Sequence, residues 1–116
     1  MPAIIVVTAV FMAGCASVPP PTEQLAVSKA EITSATRNGG NEFAPMELKS
    51  AMDKMEGAER AMAAKDYTLA RRLAEEAQLD AKLAETKTDL AKAQKSVDDA
   101  RESNRVLREE IQRTTQ

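Results

Sequence analysis

The feature that most constrains this sequence is a stretch of 47 residues that contains neither proline nor glycine. It runs from Tyr67 to Arg113 and is rich in alanine, leucine, glutamate and lysine, which favour helices. Asp66, directly before it, is a good N-cap residue because its carboxylate can accept a hydrogen bond from an early helical NH. One helix of this length measures about 70 Å, several times the average. We therefore predict a single, very long helix over residues 67–113, with packing partners along part of it.

A first, shorter helix is predicted over residues 23–38. Thr22 is a suitable cap at its start, and Gly39 and Gly40 directly after it end the helix. Its apolar face is thin and consists of Leu25, Ile32 and Ala35, with Val27 beside them. This helix therefore has little apolar surface with which to pack against the rest of the chain.

A second helix is predicted over residues 45–64. Pro45 fits its first position, where no backbone NH is needed for a hydrogen bond. Apolar residues recur at helical spacing and form one stripe, made of Leu48, Met52, Met55, Ala58 and Met62. Only Lys65 and Asp66 separate this helix from the long one, so the two must pack antiparallel as a hairpin. At its length, the second helix covers the long helix to about residue 87.

The first half of the long helix carries a seven-residue repeat built almost wholly of alanine. Alternating spacings of four and three residues connect Ala70, Ala74, Ala77, Ala81, Ala84, Thr88 and Ala91. Small residues let two helices approach closely, and Leu69, Leu73 and Leu83 are expected to flank the contact. The predicted fold is all-α: a helical hairpin with a very long C-terminal helix plus a short N-terminal helix, a three-helix, coiled-coil-like arrangement.

In the second half of the long helix the apolar pattern moves to other positions. Leu90, Val97, Asn104 and Ile111 are seven residues apart, and Ala93, Ala100 and Leu107 occupy the complementary positions. This pattern is typical of a coiled-coil seam, in which a polar residue such as Asn104 can set register and oligomeric state. Two interpretations stay open: the first helix covers this seam, or the seam mediates self-association.

The composition excludes several classes of function. The chain has no histidine and a single cysteine, so the commonest acid–base residue is missing and no internal disulfide or paired-cysteine metal site can form. Neighbouring carboxylates such as Glu75 and Glu76 point about 100° apart on a helix and cannot share a site. The 16 basic and 18 acidic residues are interleaved, without the basic patch of a nucleic-acid binder. We expect no enzyme activity, cofactor, metal, small-molecule substrate or nucleic-acid partner.

The N-terminal residues have a different character. Residues 3–13 form an apolar run interrupted only by Thr8, too short to cross a bilayer in a helix but long enough for the core of a signal peptide. Ala13, Gly14 and Cys15 follow this run. Small residues directly before a cysteine, after such a run, resemble the lipobox of bacterial lipoproteins, although no positive charge precedes the run and Met12 replaces the usual leucine.

The resemblance implies cleavage between Gly14 and Cys15 and a lipid on Cys15, which would anchor the chain to a membrane without a spanning helix. Ala16 after the cysteine resembles an outer-membrane sorting signal, so we expect the periplasmic face of the outer membrane. Pro19, Pro20 and Pro21 favour a stiff, extended tether. The predicted organisation is a signal over 1–14, a lipidated tether over 15–22 and a helical domain over 23–116.

A second resemblance covers nearly all of the chain after Cys15. The order of lipobox, proline tether and helices is similar to a family of short Gram-negative lipoproteins known only as a domain of unknown function. The residues that carry it are Ala44-Pro45, Leu48-Lys49, the turn Lys65-Asp66-Tyr67, Ala70-Arg71 and Leu73-Ala74-Glu75. The resemblance implies an envelope location and a helical fold, and it implies no activity.

We therefore expect a lipid-anchored helical protein of the cell envelope that acts as a structural spacer or as an adaptor for another envelope protein. If the first helix runs in line with the second, the turn before Tyr67 is the membrane-distal tip, and Tyr67, Arg71 and Arg72 are candidate partner contacts. The alternative is a self-associating coiled-coil lipoprotein that stabilises the layer between outer membrane and peptidoglycan. For each candidate residue an ordinary packing or solvent-facing role is the competing interpretation.

Overall fold

A computed structural model describes residues 17–116, which form four helices. They are α1 (Thr22–Arg37), α2 (Gly40–Phe43), α3 (Pro45–Ala63) and α4 (Tyr67–Thr114). Helices make up 87% of this part of the chain, and it contains no strand. The expected all-α fold with a very long C-terminal helix is confirmed, and the ends of α1, α3 and α4 lie within one residue of their predicted positions. The single turn of α2 was not predicted.

A tight turn joins α3 to α4 and makes them antiparallel. The amide of Lys65, which has a positive φ of 61°, donates to Met62 O at 3.0 Å. The amide of Asp66 donates to Ala61 O at 2.9 Å. The Asp66 carboxylate then accepts from the Leu69 amide at 3.1 Å and caps α4, as the sequence predicts. Farther along, Glu47 near the start of α3 is hydrogen-bonded to Lys87, so the hairpin covers α4 to the predicted point.

The first helix folds back onto the hairpin instead of continuing in line with α3. Gln24 near its start bonds to Gln78 at 3.0 Å, and Asn38 after its end bonds to Asp89 at 2.7 Å. Thus α1 lies parallel to the first half of α4, and the interpretation that it covers the seam over residues 90–111 is wrong. Two glycines allow the reversal: Gly39 has a φ of 99°, and a Cβ at Gly40 would lie 2.8 Å from Ala35 O.

The start of α1 differs from the prediction in its cap and in its buried face. Thr22 lies inside the helix, and Pro21 is the N-cap, whose carbonyl accepts from the Leu25 amide at 3.0 Å without any side-chain cap. Val27 is 41% exposed, while Ser28 is fully buried. The heptad spacing of the three-helix packing places residue 28 between Leu25 and Ile32, so position in the repeat decides burial there, and polarity does not.

The core between the three longer helices is built mainly of alanine. The buried residues of α3 follow spacings of three and four residues: Leu48, Ala51, Met55, Ala58 and Ala61. Met52, which the sequence placed in this stripe, is 42% exposed, and the smaller Ala51 is buried in its stead. Because alanine side chains are short, the three helices can approach closely over this stretch.

The packing stops part of the way along α4. Lys92 bonds to the carbonyl and side chain of Asn38 at the end of α1, which is the last contact between α4 and the other helices recorded by hydrogen bonds. Every residue from Lys92 to Gln116 is exposed. The second half of α4 is therefore a free helix of about 34 Å beyond the three-helix body.

A candidate interaction surface on the long helix

The buried side of α4 is a run that we call the alanine seam, made of Ala70, Ala74, Ala77, Ala81, Ala84 and Thr88. Each of its members is at most 1% exposed. The seam is the predicted alanine repeat without its last member, Ala91, which is partly exposed, and it packs against both α1 and α3. Its position fixes how α4 is rotated about its axis, and therefore which residues the helix presents to solvent.

Polar contacts hold α4 in this rotation. The hydroxyl of Ser28 is buried between two carbonyl oxygens, Ala74 O at 2.7 Å and Gln24 O at 2.8 Å, and thereby links α1 to the alanine seam. On the side of α3, Asp80 accepts from Lys54 at 2.7 Å and from Ser50 at 2.6 Å. Partial burial acts to raise the pKa of Asp80, but these hydrogen bonds outweigh it, so its pKa lies below the usual value. The hydrogen bond from Lys87 likewise lowers the pKa of Glu47.

The opposite side of α4 carries a second run, which we call the exposed seam. Its ten positions alternate spacings of four and three residues without a break: Leu79, Leu83, Thr86, Leu90, Ala93, Val97, Ala100, Asn104, Leu107 and Ile111. The two seams are offset by two residues, or about 200° around the helix. The large residues of the exposed seam are 45% to 68% exposed, so nothing in residues 17–116 covers it.

The exposed seam contains the predicted coiled-coil seam and is longer than predicted. The positions from Leu90 to Ile111, including Val97, Asn104 and Leu107, all lie on this one face. The extension back to Leu79 was not predicted, because Leu83 was assigned to the flank of the alanine repeat, whereas it is 47% exposed on the other side. The signal was present, since the same spacing continues from Leu90 through Thr86 and Leu83 to Leu79.

Local ion pairs stabilise the free half of α4. Arg105 contacts Glu102 at 2.6 Å and Glu109 at 2.5 Å, and Lys95 contacts Asp99 at 3.4 Å. The hydrogen bond from Arg105 lowers the pKa of Glu102. Pairs three and four residues apart stabilise a helix by a few tenths of a kcal/mol each. They lie outside the exposed seam, so they support the helix and leave its apolar face unoccupied.

The predicted contact residues near the turn lie at the end of the molecule where the described chain begins. Tyr67 and Arg71 are half-buried, and the exposed Arg72 pairs with Glu76 at 3.1 Å. Pro20 and Pro21 line the same shallow surface depression as Arg71. The turn therefore lies beside Pro20 and Pro21 and not at the opposite end of the molecule from them, because α1 folds back instead of running in line with α3. A partner role for these three residues stays a prediction. Gly14 and Cys15 lie outside the described residues.

The arrangement offers a surface for another helix. Among residues 17–116, no three side chains of the metal-ligating kind lie close enough together to hold an ion. No helix in the same range is long and apolar enough to span a membrane. An apolar face with heptad spacing is what one helix offers another in a coiled coil. The exposed seam is thus the surface best suited to a binding partner.

Comparisons with known proteins agree with this architecture. Residues 23–100 match the family model described as a domain of unknown function, DUF4398. The crystal structure of a DUF4398 family protein from Pseudomonas aeruginosa PAO1 is similar to this chain, with 37% sequence identity and a TM-score of 0.76. The similarity covers 83% of this chain and 99% of that one. The comparison with curated proteins gives no match.

Proposed function

This chain belongs to the DUF4398 family, a domain of unknown function, and we propose that it is a non-catalytic, lipid-anchored adaptor of the cell envelope. The observation that carries the proposal is the exposed seam on α4. Six large apolar residues of this seam are at least 45% exposed on a helix that continues well beyond its own packing partners. Such a face is costly to leave in water, and its heptad spacing suits a helical partner.

The anchor belongs to the end of the molecule opposite the free half of α4. Cys15 is five residues before Pro20, and five residues span at most about 18 Å. Because Pro20 and Pro21 lie beside Arg71 at the start of α4, a lipid on Cys15 fixes the turn end near the outer membrane, on its periplasmic side. The length of α4, about 70 Å, then spaces its far end from the anchored end. The spacer function follows from this length and the adaptor function from the seam.

The anchor is tested by replacing Cys15 with Ser and following fatty-acid labelling and membrane fractionation in a Gram-negative host. We expect both lipid labelling and membrane association to be lost, because Cys15 is the residue that carries the lipid. Ser17→Ala, two residues away, is the matched control and should keep both. Unchanged labelling of the Cys15→Ser variant would refute the anchor.

The adaptor surface is tested in the cell by placing a photo-crosslinking residue at Val97 of the exposed seam. A matched variant carries it at Lys95, on the opposite side of the same helical turn. We expect discrete adducts from position 97 and none from position 95, because only the seam contacts a partner. Equal adducts from both positions, or none from either, would refute the seam as a binding surface.

A further inference from the structure

We infer that the partner of the exposed seam is a second copy of this chain, bound antiparallel over residues 79–111 with the two-fold axis at residue 95. This rests on the proposed function in one respect, that the exposed seam is a binding surface, and it does not depend on the lipid anchor. The seam extends for 33 residues, about four and a half heptads. That exceeds the three to four heptads that mark a coiled coil.

When two copies of the exposed seam run in opposite directions, the residues that come opposite each other are complementary in size and polarity. In an antiparallel pair centred on residue 95, the two polar members meet, since Thr86 faces the second copy's Asn104. Large residues meet small ones near the centre, where Leu90 faces Ala100 and Val97 faces Ala93. Large residues meet each other at the ends, where Leu79 faces Ile111 and Leu83 faces Leu107. The seam thus forms an isologous interface, in which one patch matches itself.

The charges that flank the seam select the antiparallel arrangement. There, Lys82 faces the second copy's Glu110, and Asp80 faces its Arg108; the exception is Lys87, which faces Arg101. Lys82, Arg108 and Glu110 take part in none of the ion pairs formed within residues 17–116. A parallel pair in register would place Lys82 against Lys87 and would bring no opposite charges together across the seam.

The three-helix body leaves room for this partner. The alanine seam faces α1 and α3, and the exposed seam, about 200° around the helix from it, points almost directly away from them. On the flanks, Asp80 and Lys87 bond to α3, and Asp89 bonds to Asn38 after α1, so the two shorter helices reach the flanks of α4 and leave the exposed seam between them open. A second copy can therefore lie along residues 79–91 as well as along the free half. The two turn ends then lie about 90 Å apart, at opposite ends of one rod, so a dimer anchored through both lipids lies along the membrane and the spacer function belongs to the monomer.

The register is tested with residues 17–116, which lack Cys15 and contain no other cysteine. The crystallised Pseudomonas relative likewise consists almost wholly of the matched helical domain, since the similarity covers 99% of its chain. Two serines occupy equivalent flanking positions, Ser96 beside the two-fold axis and Ser103 one heptad farther along. In the antiparallel dimer Ser96 faces Ser96 of the second copy, while the two Ser103 residues are about 24 Å apart along the axis.

We expect Ser96→Cys to form a disulfide-linked dimer under mild oxidation and Ser103→Cys to remain largely unlinked. Linkage through Asn104→Cys in place of Ser96→Cys would show a parallel dimer and overturn the inference, as would equal linkage at 96 and 103. Sedimentation equilibrium of the unsubstituted fragment gives the second criterion. A strict monomer at millimolar concentration would overturn the inference while leaving the Cys15 labelling test unaffected.

Charge reversal provides a further test, because the antiparallel and parallel arrangements predict opposite changes in the strength of dimerisation. Lys82→Glu places two like-charged pairs across the antiparallel dimer and should weaken dimerisation about three- to tenfold. Adding Glu110→Lys to it should restore dimerisation. In a parallel dimer Lys82→Glu would remove the repulsion with Lys87 and strengthen association. Stronger association, or failure of the double variant to recover, would overturn the antiparallel arrangement.

Discussion

The two halves of α4 form one continuous helix but differ in what holds them. Residues 67–91 pack against α1 and α3 through alanines that are almost completely buried. Residues 92–114 have the same helical backbone, yet every one of them is exposed. The first half is stabilised by tertiary packing, and the second by intrinsic propensity and pairs such as Arg105 with Glu102. The continuity of a long helix therefore does not by itself indicate which part of it packs against other helices.

On α4 the usual relation between side-chain size and burial is also reversed. On α4 the small residues are inside, for example Ala77 and Ala81, whereas Leu79 and Leu90 are 67% and 68% exposed. The close approach of three helices requires short side chains, so distance between backbones selects alanine for the core. The large residues are then left for the opposite face, where a wider coiled-coil contact with another helix can use them.

The largest expected effect on stability comes from enlarging one alanine on the alanine seam, compared with the same change on the exposed seam. Ala77→Leu places three additional carbons in the close-packed alanine seam and should destabilise the fold by about 1–3 kcal/mol or more. Ala93→Leu makes the same change on the exposed seam and should leave the stability of the monomer unchanged. Thermal unfolding followed by circular dichroism, at a concentration where the protein is monomeric, measures both. Equal losses would mean that the two faces do not differ in packing.

A smaller effect on stability is expected from removing one hydroxyl that contacts the covered half of α4, compared with removing one in the uncovered half. Ser28→Ala deletes the buried link between α1 and Ala74 and should cost about 0.5–1.5 kcal/mol. Ser96 is the matched position, since its exposed hydroxyl bonds only to Lys92 O within its own helix, at 3.0 Å. Ser96→Ala should change the free energy of unfolding by only a few tenths of a kcal/mol. If urea unfolding shows no difference between the two variants, the contact of α1 with α4 is not a stabilising one.

The smallest expected effect is on the way stability depends on pH. The pKa values of Asp80 and Glu47 are lowered in the folded chain, so these carboxylates stabilise the covered half above about pH 4. That contribution is lost as the pH falls through their folded-state values. Asp80→Asn should lower stability at pH 7 by about 0.5 kcal/mol and flatten the loss of stability on acidification. A melting profile between pH 7 and pH 2 that is identical for the variant and the parent would contradict this.

Sequence alone was sufficient for the features that depend on local chemistry. Helix ends at Pro45, Asp66 and Gly39, and the alanine repeat, follow from caps, breakers and spacing. The position of α1 was not predictable in the same way, because its few apolar residues fit either half of α4. The decision depends on the backbone path through Gly39 and Gly40, which brings α1 alongside the first half.

Only part of the exposed seam was predicted, and the reason is related. Leu90 to Ile111 stood out because the alanine repeat overlaps them only at Ala91. Leu79 and Leu83 lie where the two seams overlap in sequence, and there a leucine can be assigned to either face. Only the rotation of α4 against α1 and α3, fixed by contacts such as that of Ser28 with Ala74, assigns them to the exposed side.

The most direct test of the difference between the two halves is amide hydrogen exchange of residues 17–116 at two protein concentrations. At low concentration we expect slow exchange in residues 67–91, which are held by packing, and fast exchange in residues 92–114, which are held only by local interactions. At high concentration the antiparallel partner should slow exchange in the second half as well. Equal protection of both halves in the dilute monomer would contradict the division of α4 into a covered and an uncovered half.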